Sequence, residues 1–182
     1  MLSMRVIAGT YGGRHLKTLP GKTTRPTTDK VKGAMFNMIG PYFNGGRSLD
    51  LYAGSGNLSI EAVSRGIEEA VLVERDRKAQ VIIQENIAVT KENHRFHLIK
   101  GTDKRALMQL EGTFDLVFLD PPYAKEEIVQ TILTLEAHGL LSSESLVVCE
   151  TDKNVKLPEE VGPLQLLKQK TYGISQVTIY GR

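Results

Sequence analysis

Cysteine is almost absent from this chain, and its scarcity excludes two classes of protein. Cys149 is the single cysteine among 182 residues, so neither a disulfide framework nor a cysteine-rich zinc site can form. It lies in the apolar run 146–149, which favours a buried strand residue over a nucleophile. The four histidines lack the spacing of metal ligands, and we predict no metal site.

Long hydrophobic runs are missing as well. No apolar stretch approaches the ~20 residues that a membrane-spanning helix needs, and the first residues lack the apolar core of a secretory signal. We therefore expect a soluble protein of the cytoplasm. A length of 182 residues accommodates one domain with a sizeable core, or one domain with a short extension.

Positive charge is concentrated at the N-terminal end of the chain. Residues 1–47 contain eight lysines or arginines and one acidic residue, Asp29, a balance of +7. The remainder contains fifteen basic and twenty acidic residues, a balance of −5. Chance clustering on a solvated surface is the simple explanation, but this asymmetry is also typical of a basic arm that contacts a polyanion.

Residues 1–45 predict a small basic extension ahead of the main domain. Two short apolar runs within residues 5–19 flank a Gly-Gly pair, which predicts a β-hairpin. An extended segment follows around a proline. Thr28 or Asp29 then caps a helix that we place from Lys30 to about Tyr42. The residues of its predicted buried face are Val31, Ala34, Met35, Met38 and Ile39.

Residues 46–182 alternate between strands and helices. Continuous apolar strands between amphipathic helices predict a parallel sheet covered on both faces. The tail has two strands with no helix between them, which predicts a closing hairpin and an antiparallel strand. The fold class is therefore α/β, with a mostly parallel sheet of seven strands. The predicted strands are 48–52, 70–74, 96–100, 114–120, 145–150, 164–171 and 175–180, and the predicted helices are 58–65, 77–90, 104–110 and 126–138.

A loop with two glycines follows the first of these strands. Glycines let the backbone turn sharply and let a ligand approach the main chain. The third glycine of the dinucleotide fingerprint and the Gly-Lys-Ser/Thr of a phosphate-binding loop are both absent. The loop therefore suits a ligand without pyrophosphate, such as S-adenosylmethionine. Its amino-acid part would contact Asp50, Ala53, Gly54, Ser55 and Gly56.

Acidic residues follow the next two strands. Glu74 lies 24 residues after Asp50, close to the ~20-residue offset at which an acid reaches ribose hydroxyls in such folds. A carboxylate can accept both hydrogen bonds of a vicinal diol. Asp103 follows the third strand, where it either contacts the adenine amino group or caps a helix. We assign both residues to the cofactor site.

The fourth strand leads directly into Asp120-Pro121-Pro122-Tyr123. Prolines fix φ and lack an N–H, so the Asp120 carboxylate and the Pro121 carbonyl become neighbouring acceptors. Accepting both N–H groups of an exocyclic base amine localises the nitrogen lone pair and directs it at a methyl sulfonium. Tyr123 offers a ring on which the base stacks, which contributes ~1–3 kcal/mol. Together with the glycine loop and Glu74, these four residues indicate an amino-methyltransferase acting on a base.

This combination resembles the RsmD family over essentially the whole chain. The resemblance implies the class I, Rossmann-like fold of S-adenosylmethionine-dependent methyltransferases. It also implies methyl transfer to the N2 amine of a guanine in 16S rRNA (the guanine 966 type), by a monomer acting on an assembling 30S subunit, with S-adenosylhomocysteine as the product. The further matching motifs are Arg5-Val6-Ile7-Ala8-Gly9, Gly13-Arg14, Thr24-Arg25-Pro26-Thr27, Phe36-Asn37, Glu61-Ala62, Ser64-Arg65-Gly66 and Tyr172-Gly173.

The resemblance also assigns the basic extension to RNA binding. The hairpin and residues 24–28 would contact RNA near the pocket, although Arg25 could instead anchor its segment to the domain. Two positions differ from the family pattern: Lys32-Gly33 replaces an Arg-Glu pair, and Asn57-Leu58-Ser59 replaces Ala-Leu-Gly. A lysine keeps the charge but loses the bidentate fork of arginine. The predicted phosphate contacts are Arg14, Lys17, Lys22, Arg25, Lys30 and Lys32.

Other functions remain open at this stage. Asp-Pro-Pro-Tyr also serves N6-adenine methyltransferases, although a DNA enzyme would need room for a domain that reads sequence. Protein glutamine methyltransferases usually begin the tetrapeptide with Asn. A dinucleotide-dependent oxidoreductase would need the missing third glycine. A non-catalytic RNA-binding factor would have no need for intact residues 120–123.

Overall fold

The computed structural model of the chain describes residues 4–19, 28–122 and 124–182. Three residues with predicted roles, Lys22, Arg25 and Tyr123, lie outside the described residues. Within the described ranges, none of the helices has the length and hydrophobicity that crossing a membrane requires.

The predicted N-terminal hairpin is present, with very short strands. Strand β1 (Met4–Arg5) pairs antiparallel with β2 (His15–Leu16), and Met4 lies opposite Leu16. The connecting loop packs against the rest of the protein, because the Thr10 and Tyr11 amides donate hydrogen bonds to the backbone oxygen and the hydroxyl of Ser64. The hairpin is therefore part of the folded body.

Helix α1 (Asp29–Ile39) begins where the sequence predicts and ends earlier. The Thr28 hydroxyl accepts a hydrogen bond from the Val31 amide at 3.2 Å, which caps the helix. The predicted end near Tyr42 is wrong, because Gly40-Pro41 intervenes and proline cannot continue a helix. The predicted buried face is partly wrong as well: the buried residues are Val31, Lys32, Met35 and Phe36, whereas Met38 and Ile39 are only partly buried.

The predicted mostly parallel sheet is confirmed, with one more strand than expected. Strands β3 to β7 are parallel, whereas β7, β10 and β9 pair antiparallel, as the tail predicted. The additional edge strand, β8, has two residues, too few to produce an alternating pattern. The bounds are β3 Arg47–Asp50, β4 Glu69–Glu74, β5 Phe96–Lys100, β6 Phe114–Leu119, β7 Leu141–Asp152, β8 Glu160–Val161, β9 Leu164–Tyr172 and β10 Ser175–Gly181.

Helices cover both faces of this sheet, as the continuous apolar strands require. Side chains of a strand alternate between faces, so Phe118 of β6 joins one apolar cluster and Val117 joins the other. The first cluster also contains Val6, Leu16 and Phe36 from the N-terminal extension. The helices of the main domain are α2 Asn57–Ser64, α3 Arg77–Thr90, α4 Asp103–Gln109 and α5 Ala124–Ala137.

The strand order is β5-β4-β3-β6-β7-β10-β9-β8. From β3 the chain proceeds outward through β4 and β5, then crosses to the other side of β3 to form β6. The order thus reverses between β3 and β6. In open α/β sheets, ligands bind in the crevice at this reversal, beyond the carboxyl ends of the strands.

Candidate active site

A cavity of about 450 Å³ opens at the strand reversal, within the range of ~300–1,000 Å³ of ligand pockets. The glycine loop lines one part of it and Asp120 lines another. Register explains their proximity, because Asp50 at the end of β3 lies opposite Phe118, two residues before Asp120. Asp120 and most of the predicted cofactor residues therefore border one cleft; these cofactor residues are Asp50, Ala53, Gly54, Ser55 and Glu74.

The glycine loop adopts a conformation that other residues rarely accept. Gly54 has φ of 60° and Gly56 has φ of 82°, both in the left-handed region. The Gly54 amide donates to a Glu74 carboxylate oxygen at 2.8 Å, and the Asp76 amide donates to the other oxygen at 3.0 Å. Glu74 therefore positions the loop, and its oxygens retain lone pairs that can accept from a ribose diol.

Asp50 is buried at the bottom of the cleft, with 4% of its surface exposed. Burial raises its pKa to about 7, the hydrogen bond from the Tyr52 amide acts in the opposite direction, and the charges of Asp120, Glu74 and Glu150 add to the rise. Four carboxyl groups thus lie close enough to interact. Such a cluster favours a cationic ligand group, because an ammonium would stabilise the ionised form of Asp50.

Glu150 is a cavity residue to which the sequence analysis assigned no function. It lies on β7 next to β6, is 2% exposed, and lines the cleft. A sequence signal was available, because Glu150 follows the apolar run 147–149 just as Glu74 follows the apolar part of β4. An acid after a buried parallel strand lies at the ligand-binding edge of the sheet.

Asp103 borders a second cavity of about 410 Å³, which shares Tyr52 and Glu74 with the first. The alternative that Asp103 caps a helix is wrong. Thr102 is the cap of α4, because its hydroxyl accepts from the Arg105 amide at 3.2 Å. The Asp103 carboxylate instead accepts from the Tyr52 hydroxyl at 2.6 Å.

The proline motif lies between the two cavities. Asp120 is exposed to solvent and lines the first cavity, Pro121 is buried, and Pro122 lines the second. A ligand that occupied both cavities would pass in front of Glu74, which borders both. This arrangement matches an elongated molecule with an amino-acid end near Asp50 and a base near Asp103.

Lys32 is not available to RNA, so its prediction as a phosphate contact is wrong. Its side chain is completely buried. Its ammonium contacts the Arg5 carbonyl at 2.6 Å, the Asn57 amide oxygen at 2.7 Å and the Glu61 carboxylate at 3.1 Å. Burial lowers the pKa of Lys32, although the nearby Glu61 carboxylate opposes this shift. Three acceptors match the three N–H donors of an ammonium, so we assign the charged form.

The other predicted RNA contacts in the described residues differ in exposure. Arg14 is half-buried, and its guanidinium donates to the Val89 and Thr90 carbonyls near the end of α3, both at 3.1 Å. Lys17 is exposed and pairs with Glu85 at 2.5 Å. Lys30 is exposed at the start of α1. Lys30 can therefore meet a phosphate with little rearrangement, whereas Lys17 would first have to leave Glu85.

A family profile and several known proteins match this chain over almost its whole length. The profile of a family described as conserved hypothetical protein 95 matches residues 4–181. YlbH of Bacillus subtilis, a candidate rRNA methyltransferase by name, is 44% identical and aligns over 97% of this chain and 98% of its own. Ribosomal RNA small subunit methyltransferase D of Escherichia coli is 32% identical over 98% and 90% of the two chains.

A solved structure from Streptococcus pyogenes, described as a conserved hypothetical protein, is more similar in sequence. It is 65% identical, with a TM-score of 0.80, and the match covers 82% of this chain and 94% of that one. A second solved structure, of the candidate methyltransferase yhhF from Escherichia coli, has a TM-score of 0.86 at 32% identity over 99% and 98% of the chains. The α/β methyltransferase fold predicted from the sequence is confirmed.

Proposed function

The chain belongs to the RsmD family, described also as conserved hypothetical protein 95, and from this premise we propose that it methylates the N2 amine of a guanine in 16S rRNA, of the 966 type. The methyl donor is S-adenosylmethionine. The observation that carries the proposal is the single cleft that Asp120 and the glycine loop both border.

The residues of the two cavities fit the proposed methyl donor. Asp50 supports an ammonium at the amino-acid end, the left-handed backbone at Gly54 and Gly56 allows close approach, and Glu74 supports the ribose diol. Asp103 and Pro122 border the space for the adenine. When bound, S-adenosylmethionine supplies a methyl group on a sulfonium, which is a good leaving group.

Asp120 and Pro121 act on the amine that receives the methyl group. The carboxylate and the Pro121 carbonyl accept its two N–H groups, which aligns the nitrogen lone pair with the methyl carbon. Such alignment is a large part of the acceleration of an in-line displacement. With S-adenosylmethionine bound, methyl transfer to the nitrogen would release S-adenosylhomocysteine, and Asp120 would take the proton that the nitrogen loses. Tyr123 completes the proposed site as the ring on which the guanine stacks.

The N-terminal extension supplies the proposed RNA contacts. Lys17 and Lys30 are exposed on the structure, and we retain Lys22 and Arg25 from the sequence pattern. Arg14 is half-buried beside α3, and we give it a smaller part in RNA binding. An assembling 30S subunit in the cytoplasm is the proposed setting, with the protein acting as a monomer. Phosphate contacts of this kind make binding dependent on salt.

The Asp120→Ala variant tests the proposal. We expect it to lose methyl transfer to small subunits from cells lacking the protein, while calorimetry shows S-adenosylhomocysteine bound within about threefold of wild type. N2-methylguanine, measured by mass spectrometry of nucleosides, is the expected product of the wild-type protein. Detection of N6-methyladenine instead would show that the target base is adenine and not guanine. Equal loss of transfer and of binding would contradict the role given to Asp120.

A further inference from the structure

Asn57 has a buried amide donor beside the proposed cofactor site. It is the first residue of α2, is 5% exposed, and lines the cavity between the glycine loop and Asp120. Its Nδ2 atom is fully buried and has no hydrogen-bond partner among the described residues. An unsatisfied buried N–H destabilises a protein, so a polar ligand atom in the cavity is its natural partner.

Lys32 determines the direction of this amide. A lysine ammonium donates hydrogen bonds and accepts none, so the side-chain oxygen of Asn57 must face Lys32, which it contacts at 2.7 Å. The Nδ2 group is consequently turned away from Lys32. The lysine is itself fixed, because Glu61 and the Arg5 carbonyl contact the same nitrogen. Asn57 therefore presents a donor in one defined orientation.

Charge indicates what kind of atom this donor meets. Asp50 and Glu150 are buried carboxyl groups that favour a cation in the cavity. Asn57 lies at the N-terminus of α2, where the helix dipole favours an anion, and the buried Lys32 charge lies directly behind it. An α-amino acid carries an ammonium and a carboxylate on one carbon. The two sides of the cavity are complementary to these two charges.

We propose that Asn57 is a specificity-determining residue of the cofactor site, and that its Lys32-oriented amide donates to the carboxylate at the amino-acid end of the methyl donor. The inference rests on the proposed function. Lys32 acts through Asn57 as a positioning residue. The Lys32 ammonium and the Asn57 side-chain oxygen are in direct contact, so the two residues act together.

Three probes separate the carboxylate from the rest of the cofactor in calorimetry. S-adenosylhomocysteine has both the ammonium and the carboxylate, decarboxylated S-adenosylmethionine has only the ammonium, and 5′-methylthioadenosine has neither. We expect Asn57→Ala to weaken S-adenosylhomocysteine by about ten- to hundredfold, as for a lost hydrogen bond to a charged group. Binding of the other two probes should stay within about twofold of wild type.

Asn57→Asp is the matched variant, because it retains an oxygen for Lys32 and removes the donor. It should weaken S-adenosylhomocysteine at least as much as Asn57→Ala does, with a melting temperature that shows a folded protein. Unchanged S-adenosylhomocysteine binding in both variants, or equal weakening of all three probes, would overturn the inference and leave the proposed function intact. Failure of the wild-type protein to bind S-adenosylhomocysteine would overturn the proposed function, and this inference with it.

Discussion

Glu61 connects the N-terminal extension to the main domain through both of its carboxylate oxygens. One oxygen accepts from the Ile7 amide at 2.9 Å and contacts Lys32 at 3.1 Å. The other accepts from the Ala8 amide at 3.1 Å and from Arg65 at 2.7 Å. Burial pushes the pKa of Glu61 upward, but the Lys32 charge, the Ile7 amide and Arg65 outweigh it and lower the pKa. The side chain is fully buried and ionised.

Glu61→Gln should therefore lower the free energy of unfolding by about 3–5 kcal/mol, the usual effect of removing one partner of a buried ion pair. The glutamine side chain has nearly the same shape as glutamate. Its NH2 group, however, would replace a carboxylate oxygen that accepts hydrogen bonds, and would therefore face other donors. Two buried cations, Lys32 and Arg65, would lose their only carboxylate partner among the described residues. Glu85→Gln is the matched control, because the Lys17–Glu85 pair is exposed and should contribute about 0–1 kcal/mol.

Urea unfolding followed by circular dichroism measures both variants, with stability read from the midpoint at an unchanged slope. A group whose pKa is lowered on folding stabilises the native state above its unfolded pKa, which is 4.5 for Glu61. The difference in the free energy of unfolding between wild type and Glu61→Gln should accordingly reach its maximum above this pH and decrease as the pH falls below it. If Glu61→Gln and Glu85→Gln lower the free energy of unfolding by the same amount, the buried network does not stabilise the fold and the reasoning fails.

Three further predictions concern ligands. The pKa of Asp50 is raised to about 7, so affinity for S-adenosylhomocysteine should increase by up to about tenfold per pH unit as the pH rises toward ~7, and should level off above it. Asp50→Asn should make the affinity independent of pH in this range. A wild-type affinity that does not change with pH would contradict the ammonium contact. Glu74→Ala should weaken S-adenosylhomocysteine and 5′-methylthioadenosine alike, since both contain the ribose, and an unchanged dissociation constant for either would refute the diol contact. Arg25→Ala with Lys30→Ala should weaken RNA binding and reduce its salt slope by about 0.7–0.9 per lost contact, whereas an unaltered slope would remove both residues from the interface.

Local signals predicted most of the fold. The apolar runs of β5 and β6 and the helical pattern of α3 predicted those elements to within a residue, because buried parallel strands and amphipathic helices have distinct periods. The position of Asp120 beside the glycine loop also followed from sequence, since every parallel strand of such a sheet presents its carboxyl end at the same edge. These inferences need only neighbouring residues and the rules of one fold class.

Lys32 shows where such inference stops. A lysine in a short basic helix is ordinarily a solvated residue. The one local sign of burial is that Met35 and Phe36, three and four residues further along, lie on the same helix face. Its partners Asn57 and Glu61 lie 25 and 29 residues further along the chain, so their contact depends on how α1 packs against α2. Glu150 was missed for a different reason: its strand was predicted, but no function was assigned to the acid at the end of that strand.

The buried network also changes how the N-terminal extension is interpreted. Net charge and pattern placed a boundary near residue 45, as if a basic RNA-binding arm preceded a separate catalytic domain. Yet Lys32 from the extension contacts Asn57, which lines the cavity at the glycine loop, and Glu61 accepts from the Ile7 and Ala8 amides. One set of buried charges thus crosses the boundary. The segment that we propose to contact RNA is therefore attached, through Lys32 and Glu61, to helix α2, whose first residue lines the cavity at the glycine loop.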